Sequence, residues 1–473
     1  MMMKRPTLLT LLLCAALPAA ASTTQPFAPS YLTVKDGAEA ELKHFSSPEG
    51  CKRCHPRQYA GWQGSMHSIA FIDPVYQAEA ALGTKETDGA THNLCKGCHT
   101  AIGTVSENIS YDASTGKFGG FTTQGVAERG VSCDTCHSVS ATNIAHTEMG
   151  EHGNASLELA TDRIKRGPFD DAKARGHKTE YSELHTRSEF CANCHNVFNP
   201  VHGNFPLEHT YEEWKNSDYA KAEIQCQDCH MVPVEVAVRV ADEMKPVKAL
   251  EQHRLSGQAA RGGPVRSVVH DHGFVGGNAV LAPLLGVEGG EAHAQEATKR
   301  LQTVAELETA LLEADGKAQL SVTVHNRRAG HDLPTSLSFI RQVWLEVVIE
   351  DAQGNTLLRS GTLNADNSLP ADTVVFQDTA VDADGKPEHK PWKIARFSVE
   401  NSIPAKGSKT VEYGFALPAE GHYTVTTTLH YRSFDQSVAD YLLTDSVTVP
   451  SVTMNRLTQR FEGTRLISSD NSL

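Results

Sequence analysis

The sequence predicts an α + β multidomain protein. A mostly α-helical or irregular region with little regular sheet comes first, and an all-β immunoglobulin-like sandwich follows. Three observations predict this. A five-residue frame, Cys-x-x-Cys-His, recurs five times between Cys51 and His230, in a stretch with little sustained helical or strand periodicity. Beyond about residue 313 come short alternating runs rich in β-branched residues, separated by turn signals. Between the two, residues 289–312 have helical composition.

The chain has 473 residues, which makes two or three domains the expectation. Its start, MMMKRPTLLTLLLCAALPAAAS, has a short basic part, an apolar stretch and small residues at the end, the pattern of a secretory signal peptide cut after Ala21. A lipid anchor on Cys14 is disfavoured because Leu13 stands where a small residue is wanted. The expected organisation is a signal peptide over 1–21, a cysteine-rich domain over 22–285, a connecting helix or linker over 286–312, the β-sandwich over 313–450 and a C-terminal tail over 451–473. No later apolar run is long enough to span a bilayer. The expectation is an exported chain in the periplasm, with the outside or surface of the cell as alternatives. The formal charge of −14 disfavours nucleic acid, since phosphate contacts need Lys and Arg. A basic redox partner or a cationic surface suits it better.

The cysteines carry the chemistry. There are eleven, and ten of them sit in CKRCH (51–55), CKGCH (95–99), CDTCH (133–137), CANCH (191–195) and CQDCH (226–230). Exported cysteines ordinarily pair as disulfides, but that does not explain one spacing five times over. Zinc uses Cys-x-x-Cys pairs but has no need of a His directly after the second Cys. A c-type haem has that need: the two thiols add to the porphyrin vinyl groups and the adjacent His binds iron. The sequence therefore predicts five covalent haems with their iron. They are attached at Cys51 and Cys54, Cys95 and Cys98, Cys133 and Cys136, Cys191 and Cys194, and Cys226 and Cys229. The proximal ligands are His55, His99, His137, His195 and His230. Five haems in so short a stretch must form much of the core themselves, close enough for electrons to hop between them.

The chain has 23 His, so 18 remain for the sixth positions, and most of these are expected on the surface. Local context singles out His67, twelve residues after His55; His185, six before Cys191; His92, three before Cys95; and His177. Downstream come His272, with His270 as its rival, and His331 in GHDLPTS. Trp62-Gln-Gly-Ser65-Met-His67 is echoed by Trp214-Lys-Asn-Ser217-Asp-Tyr219, with Tyr in the place of His. A packing Trp and a helix cap account for the second copy, and a Tyr219 lining a haem pocket is the sharper alternative.

On CKRCHPRQYAGWQGSMHS, GVSCDTCH, SEFCANCHNV, TYEEWKNSDYAKAEIQCQDCHM, HDHGFVGGN and GHDLPTSLSFIRQVWLEV, residues 50–350 resemble the multihaem cytochromes c related to cytochrome c-554. The resemblance implies mostly bis-His, low-spin haems and periplasmic or extracellular electron transfer. It also implies His67, His185, His272 and His331 as distal ligands, while His177 and His92 compete for the fifth place. The name-giving member carries four haems and this chain five motifs, so the pairing of haems with ligands does not transfer.

The expected strands of the sandwich are AQLSVTVHN, VWLEVVIE, TLLRSGT, ARFSVE, KTVEYGFAL, YTVTTTLHY and DSVTVP. Asp382-Ala-Asp384-Gly385 lacks the further acidic ligands of a calcium loop and reads as a turn. Asn108-Ile-Ser110 reads as an ordinary loop.

Three functions fit the sequence. The first is an electron relay with all haems six-coordinate, exchanging electrons with donor and acceptor proteins and assigning no residue a catalytic role; no Cys-x-x-Cys-Lys is present. The second is an oxidoreductase acting on a small nitrogen or sulfur oxyanion at one open haem, with Arg163, Lys165 and Arg166 as an anion site, although a solvated helix face is the preferred reading of that cluster. The third is a homo-oligomer or filament that shares ligands between subunits. The relay is the reading the residues favour.

Overall fold

The computed structural model describes residues 25–314, 317–418 and 421–471. The expected signal peptide and Cys14 lie outside the described residues. The N-terminal region is built from short elements held by local caps. Ser132 and Thr135 form a capping box at the helix Cys133–His137, and Gln225 and Asp228 form one at Cys226–His230. The longer helices are α1 (Pro74–Glu86), α2 (His92–His99) and α3 (Val234–Glu243). Helix α1 starts where it does because Pro74 suits a first helical position and the Asp73 carboxylate accepts from the Val75 and Tyr76 N–H groups at 2.8 and 3.3 Å. Helix α3 buries Val236, Ala237, Val240 and Ala241 along one side. The strands here are two to four residues long; Leu157–Leu159 lies between Thr33–Val34 and Val139–Thr142. No single apolar core fills this region. Separate clusters, one around Leu32, Ile102 and Leu159 and another around Tyr219, Val240 and Leu255, stand around a cavity.

Helix α4 (Gly290–Val304) leads out of this region. The expected connecting helix over 286–312 is shorter than its composition suggests, because residues from Ala305 enter strand β1 (Ala305–Ala314). Ala305, Leu307 and Leu311 face the core while Glu306 and Glu308 face outward, and a ten-residue antiparallel pairing with β2 (Lys317–Asn326) outweighs helix propensity. The remaining elements are β3 (Gln342–Asp351), β4 (Thr356–Ser360), β5 (Val375–Phe376), β6 (Thr379–Val381), β7 (Arg396–Val399), β8 (Ser408–Ala416), β9 (His422–Arg432), α5 (Gln436–Leu442), β10 (Val452–Glu462) and β11 (Arg465–Asn471). One sheet has the order β1-β2-β8 and the other β4-β3-β9-β10-β11, with β5 also on β3. Their shared core holds Leu320, Val322 and Val324 of β2 against Val343, Leu345 and Val347 of β3 and Val425 and Leu429 of β9.

Three sequence expectations are corrected here. The expected tail over 451–473 is, in its described part, not a tail, since β10 and β11 extend the larger sheet through Asn471. Their alternation is hidden by a register shift at Leu429/His430, which leaves adjacent Met454 and Asn455 both buried. DSVTVP is not a strand: the Gln436 side chain takes the Val449 N–H at 2.9 Å and donates to the Val447 carbonyl at 2.8 Å, using groups a ladder would need. ARFSVE pairs only with β6, outside both sheets.

The sandwich is joined to the N-terminal region by a common core, not by a flexible linker. Ile69, Val75, Leu82 and Leu207 pack in one cluster with Phe339, Ile340, Trp392, Ile394 and Phe434. Asn199 donates to the carbonyls of Pro391 and Ile394 at 2.9 and 2.8 Å. Glu86 at the end of α1 binds Lys390 at 2.6 Å and Lys393 at 2.8 Å and accepts from the Trp392 indole at 3.1 Å. Among the described residues, no helix is long and apolar enough to cross a membrane.

Burial raises the pKa of Glu86, but hydrogen bonds from Lys390, Lys393 and Trp392 outweigh it and hold the carboxyl at about 2. A folded-state pKa below the unfolded value stabilises above the unfolded value of about 4.3, and that contribution is lost as pH falls toward the folded one. Glu86→Gln should therefore lower stability by about 0.5–1 kcal/mol at pH 6, the range for a largely exposed pair. The difference from the parent should shrink as pH approaches 2. Denaturant midpoints across that pH range check it.

Candidate functional site

All ten motif cysteines and all five motif histidines line one continuous cavity of 2410 Å³. The local reason is helical spacing: residues three and four apart share a face, so each helical motif turns Cys, Cys and His to the same side. None of the ten is in a disulfide. Among the described residues, no three or more His, Cys, Asp or Glu side chains converge as a metal-ion cluster. Thiols of different motifs meet across the cavity instead. Cys51 lies near Cys133, Cys191 near Cys226, and Cys98 near Cys194. Cys136 lies close enough to Cys191 and Cys194 to interact electrostatically with both. The motif at 191–195 thus stands at a junction with those at 95–99, 133–137 and 226–230.

Every motif imidazole is pinned through Nδ1. His55 bonds the carbonyl of Ala259 at 2.8 Å, His99 that of Ala70 at 2.7 Å, His137 that of Arg166 at 2.6 Å and His230 that of Val275 at 2.8 Å. His195 instead meets the Glu208 carboxylate, Oε1, at 3.3 Å. A neutral imidazole that gives its Nδ1–H to such an acceptor keeps Nε2 unprotonated, which is the tautomer a metal takes; His195, raised to about 9 by Glu208, would give up its Nε2 proton to the metal.

Opposite these rings stand other histidines. A metal–nitrogen bond of about 2 Å, plus roughly 1 Å from nitrogen to ring centre, puts two imidazoles that share one metal about 6 Å apart. His55 and His177 have centroids 6.3 Å apart, His195 and His67 6.3 Å, His137 and His272 6.3 Å, and His230 and His331 6.1 Å. Burial pushes His67, His230 and His272 down to about 3, and so keeps them neutral. Nδ1 of His67 and of His272 is buried with no hydrogen-bond partner. His331 is carried in by the sandwich. Its loop is held where Glu213 accepts from the Asp332 N–H at 3.0 Å and the Thr335 hydroxyl at 2.5 Å.

Two of the sequence candidates fall elsewhere. His185 stacks on His137 at 5.6 Å with its Nε2 at the Cys136 carbonyl, 3.1 Å away, so it lies beside the His137–His272 pair with only Nδ1 unpartnered. His92 is absent from the cavity lining. It opens α2, reaches Thr84 at 3.4 Å and packs on Phe121, which leaves the place facing His55 to His177. His270 lines the cavity but meets no motif ring. Among the described residues, the ring in contact with His99 is Tyr76, stacked at 3.9 Å and nearly parallel.

Glu208 was not foreseen from the sequence. It is buried, on the strand Phe205–Glu208, thirteen residues from the ring it serves, and no motif marks it. Burial alone would lower the pKa of His195, but the Glu208 hydrogen bond and charge outweigh it and raise it to about 9. The four backbone carbonyls carry no side-chain signal at all.

The basic cluster is spent internally. Lys165 pairs with buried Asp134 at 2.6 Å, Arg166 with Asp162 at 2.7 Å, and Arg163 donates to the Lys43 carbonyl. The segment is a short strand whose Arg166 carbonyl fixes His137, so it is neither a helix face nor an anion site. Both copies of the Trp-Ser echo use the same contacts: an indole N–H to a carbonyl at 2.8 Å and a Ser hydroxyl to the Trp carbonyl at 2.7 Å. Tyr219 lines the cavity, but its hydroxyl donates to the Arg327 carbonyl at 3.3 Å. Asp382 accepts from the N–H groups of Asp384 and Lys386, both at 2.9 Å, as in a plain turn.

These residues fit a covalently attached haem: paired thiols, a pinned imidazole, and a second imidazole at the separation one metal imposes. Residues 50–138 match the family model described as cytochrome c554 and c-prime. A penta-haem cytochrome c552 from Thermochromatium tepidum has a similar structure, with a TM-score of 0.60 and 17% sequence identity over 90% of this chain and 99% of that one. At that identity the likeness shows the fold. A comparison with curated proteins finds no match. The family match is confined to residues 50–138, which hold the first three motifs, and the structural likeness extends the shared fold over most of the chain.

If Tyr219 serves structure only, Tyr219→Phe should cost about 1 kcal/mol, the loss of one hydrogen bond. The visible absorption spectrum of the holoprotein should not change. A change in the spin-state bands would mean that the phenol reaches a metal.

Proposed function

We propose that this chain is an exported, periplasmic pentahaem cytochrome that carries electrons between partner proteins. The observation that carries the proposal is the set of four facing histidine pairs, with separations of 6.1–6.3 Å. Each motif would hold one haem through its two cysteines and its histidine. His177, His272, His67 and His331 would be the distal ligands opposite His55, His137, His195 and His230. When bound, the haems supply one-electron redox centres, and the protein sets their spacing and potentials. The thiol contacts between motifs support close approach along the order 51–55, 133–137, 191–195, with 95–99 and 226–230 branching from the last. All four facing histidines come from the same chain, which disfavours a ligand shared between subunits at those positions. The strand order of the two sheets supports an immunoglobulin-like reading of the sandwich. Its part here is to carry His331 to the cavity.

A second reading concerns His99. Its contacting ring is Tyr76, and among the described residues no histidine stacks across from it as one does at the other four. An open position there would suit a small ligand or an oxyanion, and would make the chain an oxidoreductase at that one place.

Electron paramagnetic resonance of the oxidised holoprotein separates these readings. The relay with every haem six-coordinate predicts five low-spin haems, and the second reading predicts four low-spin haems and one high-spin haem per chain. Five low-spin haems would sink the second reading, and two or more high-spin haems would contradict the pairing. His331→Ala should add one high-spin haem while all five haems stay attached.

A further inference from the structure

Four motif imidazoles give their Nδ1–H to neutral backbone carbonyls, and one gives it to a carboxylate. We infer that Glu208 makes His195 the strongest electron donor of the five motif ligands, and so gives the redox centre held at Cys191, Cys194 and His195 the lowest reduction potential of the set. The inference rests on the haem reading proposed above.

Two effects act in the same direction. A carboxylate accepting from Nδ1–H draws the ring toward imidazolate and raises its basicity as a metal ligand, as in carboxylate–histidine–metal arrangements. A full negative charge near the metal also favours the state with one electron fewer, and hydrogen bonding around the ligands is a principal lever on haem potential. The Glu208 contact, at 3.3 Å, is longer than the carbonyl contacts, but it carries a full charge where they carry dipoles. Glu208 is 8% exposed, so solvent screens it little.

Among the other acids near the motifs, Glu79 beside Cys95 is pushed by burial up to about 8 and so is uncharged at neutral pH, and the rest are committed elsewhere. Asp134 is held by Lys165 and by the Ser46 N–H, both at 2.6 Å. Asp228 accepts from the N–H groups of Gln225 and Val247 at 2.8 and 2.9 Å. Asp73 caps α1.

The place matters as much as the potential. This motif is the junction at which thiols of the motifs at 95–99 and 226–230 are met and to which Cys136 leads. A junction of lowest potential is one that electrons cross but do not occupy. They would rest in the arms, and reduced equivalents would be held apart until a partner withdraws them.

Glu208→Gln keeps an acceptor oxygen at Nδ1 and removes the charge, so it tests tuning apart from structure. Spectroelectrochemical titration of the holoprotein with a mediated reductant should show the lowest of five reduction waves moving up, with the other four in place. An unmoved lowest wave, or a shift in a higher wave, overturns the inference. The parent protein must also show one wave set below the rest, and five indistinguishable waves would overturn the inference even if the variant fails to mature. Counting haems in the same samples keeps the two proposals apart. Fewer than five in the parent removes the haem reading and this inference with it, whereas five with an unmoved lowest wave removes the inference alone.

Discussion

The hydrogen bonds from the five motif Nδ1 atoms are the contacts on which the rest of this structure depends. A Cys-x-x-Cys-His turn places a ring but does not aim it, because the imidazole can still rotate about its side-chain bonds. The carbonyls of Ala259, Ala70, Arg166 and Val275 and the carboxylate of Glu208 fix that rotation. Each acceptor comes from chain remote from the motif it serves, as far as 204 residues away for Ala259 and His55. The loops of the N-terminal region are therefore long and irregular for a reason: they deliver acceptors and facing histidines to rings that local sequence cannot orient. A region that spends its backbone this way cannot close an apolar core of its own. Its apolar clusters stay small and stand around the cavity.

The sandwich completes the region it follows. Its GHDLPTS loop sets His331 opposite His230 of the motif at 226–230, and Glu213 clamps the base of that loop. Trp392 packs on Gly83 of α1, and Phe339 and Phe434 share a cluster with Ile69 and Leu207. A β-domain that supplies both a facing histidine and part of the core cannot move freely against the motifs. This rigidity suits a protein whose working parts must keep fixed separations.

Much of this was legible in the sequence, and the failures have physical causes. The five motifs, the change of character after residue 285 and five of the seven expected sandwich strands could be read because they depend on local spacing and alternation. The strand β1 could not, because Glu306–Ala314 has helix-forming residues and becomes a strand only against β2. β10 was hidden by its bulge. Among facing histidines, His67, His272 and His331 stood in recognisable local contexts, and His177 was one of two named for the remaining place. His185 had equally good context, but its Nε2 is taken by the Cys136 carbonyl, a contact invisible to sequence. Glu208 shows the limit most sharply, since a lone acid in FPLEHTY carries no mark of the ring thirteen residues behind it.

The central claim is that the cavity lined by all five motifs is filled by five covalently attached haems. The most direct measurement is the intact mass of the purified chain after denaturation in acid and organic solvent, which strips any group held by coordination alone. The account predicts the mature polypeptide plus five haem increments, with the characteristic haem absorbance travelling with the protein. A mass equal to the polypeptide alone, or lower by paired hydrogens as disulfides would make it, would contradict the account at its foundation.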